Sequence, residues 1–166
     1  MTELKTISTD AVPHAIEKAE HYRLLNQSWA TESICLDILA VDPSNQDVQV
    51  LLLLALTDQF GQEAREHARQ AFAVLDRLTG IYQRQYYAGL INERLGRAQL
   101  ANSAMHAEAM AYESLRKAMG HFENAEQIRP AGNDDAILRW NACARTMERL
   151  RLRDEAEGHY EPAFGE

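Results

Sequence analysis

The 166-residue chain is short of several things that mark particular kinds of protein. It has two cysteines, Cys35 and Cys143, with no CxxC and no third partner, so neither a zinc cluster nor a disulfide framework is expected. Two lone cysteines behind an N-terminus (MTELKTISTD) without a basic start or an apolar stretch point to a reducing compartment and two small buried side chains. The four prolines, Pro13, Pro43, Pro130 and Pro162, all lie outside long apolar-periodic segments, where they would break a helix. Alternating runs of Val, Ile and Thr are missing, which argues against strands. The longest hydrophobic run, Val50 to Leu56, is far below the ~20 residues of a membrane span. Basic charge is scarce too. Lys plus Arg total 17 against 25 Asp plus Glu, a net charge of −8, which argues against a binder of nucleic-acid phosphates.

The residues present favour helix. The chain is 46% hydrophobic but only 7% aromatic, and Ala, Leu, Glu, Gln, Arg and Met, all good helix formers, carry most of it. Start and stop signals predict seven helices in one all-α domain. Asp10 is placed to cap a first helix to about Leu25, with Pro13 in its first turn. Ser28 is placed to cap a second, ended by Asp42-Pro43. Ser44 and Asp47 mark the start of a third, to about Phe60, with Gly61 as a left-handed C-cap. A fourth spans about Gln62 to Leu78 and a fifth begins near Ile81. The sixth, with Ser103 as its candidate cap, ends at Arg129-Pro130. Asn133 is placed to cap a seventh that Gly158 ends.

Helices joined by short turns suggest antiparallel hairpins, and these repeat weakly. Ala19-x-x-Tyr22 is followed by Thr31, Cys35, Ile38 and Asp42-Pro43. Gly89 and Gly96 are followed by Ala118, Phe122, Ala125 and Pro130. The segments AMGHFENAEQIRP and SICLDILAVDPSN resemble the second helix of the tetratricopeptide repeat, a 34-residue helix–turn–helix unit. Pro43 and Pro130 lie 87 residues apart, 19 more than two such units, and about 17 of the surplus fall between Gly96 and Ala118. The middle unit, with VQVLLLLAL and EAREHARQAFAVL, lacks a closing proline.

The resemblance implies a short α-solenoid. Its hairpins would span about 11–43, 44–80 and 81–130, with a capping helix at 133–157, an N-terminal tail at 1–10 and a C-terminal tail at 159–166. The first helix of each pair would then line a concave groove. Inward candidates are Val50, Leu54 and Asp58 on the third helix, and Tyr86, Leu90, Glu93 and Arg94 on the fifth. On the seventh they are Asn141 and Arg145. Lysines of the kind that hold a peptide C-terminus in this family are missing, and Asp58 and Glu93 would oppose a carboxylate. A mixed groove for an extended or helical protein segment is expected instead.

Two other patches stand out. Met105, Met110 and Tyr112 lie in the insertion, where thioethers could repack against a partner as readily as fill a hairpin. The seventh helix is arginine-rich: between Arg139 and Arg153, a stretch that includes Arg145 and Arg149, five arginines face one acid, giving +4 against −12 for the rest. These arginines suit the helix dipole, and could also dock an acidic partner.

Catalytic and cofactor signatures are missing. There is no HExxH, Glu-x-x-His, Walker A, GxGxxG or GxSxG. Glu17/His21 and Glu63/His67 have the spacing of surface pairs. The expectation is therefore a non-enzymatic cytoplasmic adaptor without cofactor or metal, its partner a protein or peptide. The alternatives are a dedicated chaperone for a secreted or assembled protein, and an enzyme or small-molecule binder on a helical bundle. Arginine outnumbers lysine 14 to 3, which suits a GC-rich bacterial source.

Overall fold

The third helix shows how local chemistry sets the fold. Asn45 has extended backbone (φ −64°, ψ 103°), and its side-chain oxygen accepts the Val48 N–H at 3.1 Å. That bond satisfies one of the free donors at a helix start. Asp42 steadies the cap by accepting from Asn45 Nδ2 at 2.8 Å.

The structure, a computed structural model, describes residues 2–61, 63–102 and 105–154. Among these residues a 3-10 turn, Thr9–Ala11, precedes seven α-helices, and there is no strand. The helices are α1 Val12–Leu24, α2 Ser28–Val41, α3 Gln46–Asp58, α4 Ala64–Leu75, α5 Ile81–Leu100, α6 Ala107–Gln127 and α7 Asp135–Leu150. The chain is all-α. It divides into two compact units, one through Arg84 and one from Gln85, with the division inside α5.

In the first unit α1 packs on α2, α2 on α3 and α3 on α4, and α1 also reaches α3. Ala19 is small enough to let α2 approach, and the buried Thr31 hydroxyl donates to the Ala19 carbonyl at 3.0 Å. Cys35 and Ile38 continue this buried face of α2. The run VQVLLLLAL explains the central place of α3: Val48, Leu51, Leu52, Leu53, Ala55 and Leu56 are all buried, as expected of a helix apolar on nearly every side. Gln46 pins the end of the unit. Its Oε1 accepts the Thr79 N–H at 2.8 Å and its Nε2 donates to the Arg77 carbonyl at 3.3 Å.

In the second unit α6 buries Ala111, Ser114, Leu115, Ala118, Met119, Phe122 and Ala125, a stripe along one side of the helix. Gly89 and Gly96 of α5 meet this stripe. A Cβ at Gly89 would stand 2.5 Å from Phe122 Cε1, and one at Gly96 would stand 3.1 Å from Leu115 Cγ. Glycine at both places therefore sets how closely the two helices approach. α7 packs on α6 through Ala136, Cys143 and Thr146, and the Trp140 indole N–H donates to Glu123 at 2.9 Å.

Several expected boundaries move. Asp10 lies in the 3-10 turn, and neither Ser8 nor Ala11 makes a side-chain cap; Pro13 does sit in the first turn of α1. Ser28 is the first helical residue of α2 and is buried, and the flanking Gln27 makes no side-chain cap. The third cap is Asn45, one place after Ser44. Gly61 is not left-handed, because α3 has already ended at Gln59, whose φ is −97°. Asp134, directly before α7, makes no side-chain cap; Asn133, one place earlier, accepts the N–H of Asp135, the first residue of the helix, at 3.0 Å. α7 stops at Leu150, with Arg151 in the left-handed region at φ 53°, well before Gly158. Gln62, Ser103, Gly158 and the 159–166 tail lie outside the described residues.

Candidate functional site

In the first unit the candidates lie along one face of α3, at intervals of four residues. Val50 and Leu54 are half-buried. Asp58 is not a free negative charge. Arg23 of α1 donates Nε to its Oδ2 at 2.7 Å and Nη2 to its Oδ1 at 3.4 Å, a paired contact that offsets the carboxylate and ties α1 to the end of α3.

In the second unit two candidates are interior. Leu90 is 2% exposed and Glu93 is 1% exposed, so neither side chain is offered to a partner. The reason is tertiary: α5 is buried on every side from Ala88 to Glu93. A buried carboxylate needs a counter-charge, and Glu93 has two. Arg97 Nε donates to Oε1 at 3.1 Å, one turn along α5. Arg139 Nη1 donates to Oε2 at 3.5 Å from α7. Burial works against the Arg139 charge, but the Glu93 carboxylate and a hydrogen bond with Tyr86 outweigh it and hold its pKa above the ordinary arginine value. Tyr86 also packs edge-on against Tyr87, with centroids 5.1 Å apart, and lies 5.9 Å from the Phe122 ring. Arg94 is half-buried.

Asn141 and Arg145 do not join that cluster. At 100° per residue they lie on the side of α7 away from Ala136, Cys143 and Thr146, which face the packed interior. Asn141 is half-buried and Arg145 exposed. Arg139, counted with the basic strip, turns inward to Glu93; Arg149 and Arg153 remain exposed. In the insertion Met105 is 84% exposed and Met110 40% exposed, while Tyr112 is half-buried.

The thiols are placed against reactivity. Burial pushes Cys35 up to about 12, with Glu32 adding to the shift, and pushes Cys143 up to about 12, with Glu93 adding. Among the described residues no group of three or more His, Cys, Asp or Glu is arranged to hold a metal ion. No helix among them is long and apolar enough to cross a membrane.

Arg97 could have been matched to Glu93 from its i+4 spacing. The long-range partner Arg139 carries no such signal. Against known proteins, no family model, no curated protein and no solved structure matches this chain.

Proposed function

We propose that this chain is a non-catalytic binding module whose helical hairpins stack in the manner of tetratricopeptide repeats and hold a segment of another protein. The observation that carries the reading is the small–large–small arrangement at one hairpin. Gly89 receives the Phe122 ring, with Ala118 and Ala125 buried on either side of it along AMGHFENAEQIRP. The first hairpin repeats the logic with Ala19, Thr31, Cys35 and Ile38. In a stack of this kind the first helices of the pairs present the binding face. On α3 that face consists of the half-buried Val50 and Leu54 beside the Arg23–Asp58 pair, an apolar stretch with a charged edge suited to an amphipathic helix or extended segment. The same reading gives the protein no cofactor and a cytoplasmic place of work.

Substitution on α3 tests this. Val50→Lys and Leu54→Lys place long side chains that can reach water from half-buried positions, so the helix content should persist. The proposal expects the intact chain to retain a protein partner through native purification and the double variant to lose it. Equal retention by both would remove α3 from the binding face. A second reading, a dedicated chaperone, is favoured by the exposure of Met105 and Met110, since thioethers accommodate varied partners. It predicts that Met105→Ser with Met110→Ser abolishes protection of a co-expressed partner from aggregation.

A further inference from the structure

We infer that two copies of this chain pair through the outer face of α2, antiparallel and related by a two-fold axis. Four residues of α2 are exposed, Trp29, Ser33, Leu36 and Ala40; every other residue from Ser28 to Val41 is buried or half-buried. Their intervals are four, three and four, the spacing of the seam along which two helices pack with side chains interleaved. The seam is apolar where it could have been charged. Trp29 is 69% exposed and Leu36 53% exposed, and nothing polar larger than Ser33 lies on it.

The order of sizes along the seam selects the partner. In an antiparallel pair centred between Ile34 and Cys35, Trp29 lies opposite the partner's Ala40, and Leu36 opposite the partner's Ser33. Each large side chain meets a small one, and symmetry makes each match twice. A self-complementary patch is what an isologous two-fold interface requires.

Charge agrees with the same register. Lys18 of α1 lines a shallow cleft with Tyr22, Trp29, Ser33 and Ile34. Its ammonium lies 6.0 Å from the Tyr22 ring centre. Asp37 stands one turn beyond Ser33 on α2. The axis that sets Ser33 against the partner's Leu36 carries Lys18 to the level of the partner's Asp37, giving two ion pairs per dimer. Within the chain neither Lys18 nor Asp37 takes part in an ion pair among the described residues. α2 is 14 residues long, about 21 Å. One such helix pair lies at the small end of specific interfaces, below about 1,200 Å² in total, so the dimer is reversible and concentration-dependent.

Sedimentation velocity and light scattering on the full chain test the inference with no other partner present, so the outcome is independent of the proposed groove. The expected mass rises from 18.8 kDa at low concentration towards twice that value at high concentration. Leu36→Glu and Ala40→Trp alter exposed positions. Both should hold the chain at the single mass throughout, with an unchanged helical circular dichroism spectrum, Ala40→Trp because it meets the partner's Trp29. Lys18→Glu and Asp37→Lys should each weaken pairing severalfold, and the double variant should restore it. A single mass at every concentration overturns the inference, as does a dimer that survives Leu36→Glu and Ala40→Trp, or a failure of the double charge exchange to restore pairing.

Discussion

Gly89 of α5 faces the edge of the Phe122 ring of α6 so closely that a methyl group in its place would stand 2.5 Å from Phe122 Cε1. Helix propensity alone would favour alanine there by about 1 kcal/mol. The contact reverses that preference, because the nearest atoms belong to a fully buried aromatic ring. Gly89→Ala is expected to destabilise by about 1–3 kcal/mol, measured by urea unfolding. Phe122→Leu combined with Gly89→Ala should recover part of the loss, a coupling that a double-mutant cycle reads directly. Gly120, in the middle of α6, is the control, since a methyl group added there would meet nothing within 4 Å. Gly120→Ala should stabilise by about 1 kcal/mol.

The Glu93 cluster should be asymmetric. Glu93→Gln leaves two arginines that can turn towards water, and should cost about 2 kcal/mol. Arg97→Ala with Arg139→Ala leaves a carboxylate 1% exposed with neither guanidinium, and should cost about 3–5 kcal/mol. Equal costs in chemical denaturation would show that the carboxylate is not the element held in place by the other two.

The thiols give a pH prediction. Both are neutral in the fold and held up to about 12 against an ordinary 9.0. A group whose pKa is raised by folding contributes its full stability below the unfolded value and loses it as pH climbs towards the folded one. Stability should therefore fall as pH rises from 9.0 towards about 12. Cys35→Ala with Cys143→Ala should flatten that alkaline limb. Near neutral pH a thiol reagent should label the native chain only as fast as it unfolds.

The α3 cap separates two adjacent residues. Asn45→Ala removes the oxygen that accepts the Val48 N–H and should cost about 1 kcal/mol. Ser44→Ala, at an exposed position just outside the helix, should be near neutral in the same thermal unfolding measurement.

Helix number and type were legible in the sequence because Pro43, Gly80 and Pro130 fall between the apolar-periodic segments and separate them, and such signals are local. Cap positions slipped by a residue because Ser44 and Asn45 are both good caps, and only backbone geometry chooses between them. Gly89, Gly96, Ala118 and Phe122 were legible as packing residues, since a small–large–small pattern describes how two helices fit. The burial of Leu90 and Glu93 was not, because it comes from packing on every side of α5, while helical spacing marks only one face. Counting along repeats across the insertion assigns Asn141 and Arg145 to the groove, and both lie on the side of α7 away from its packed residues, Ala136, Cys143 and Thr146. The exposed stripe of Trp29, Ser33, Leu36 and Ala40 does carry a sequence signal, its four–three–four spacing, but α2 is so apolar overall that no single face stands out before burial is known.

The most direct test of the binding-module account is site-specific photo-crosslinking in native extract. A photoreactive residue at position 54 should join the chain to one predominant protein, and the adduct should disappear when Val50→Lys is present. The same probe at Arg65, an exposed position of α4, should give no such adduct. An equal yield from both positions, or no adduct at position 54 in a chain that keeps its helical spectrum, would contradict the account.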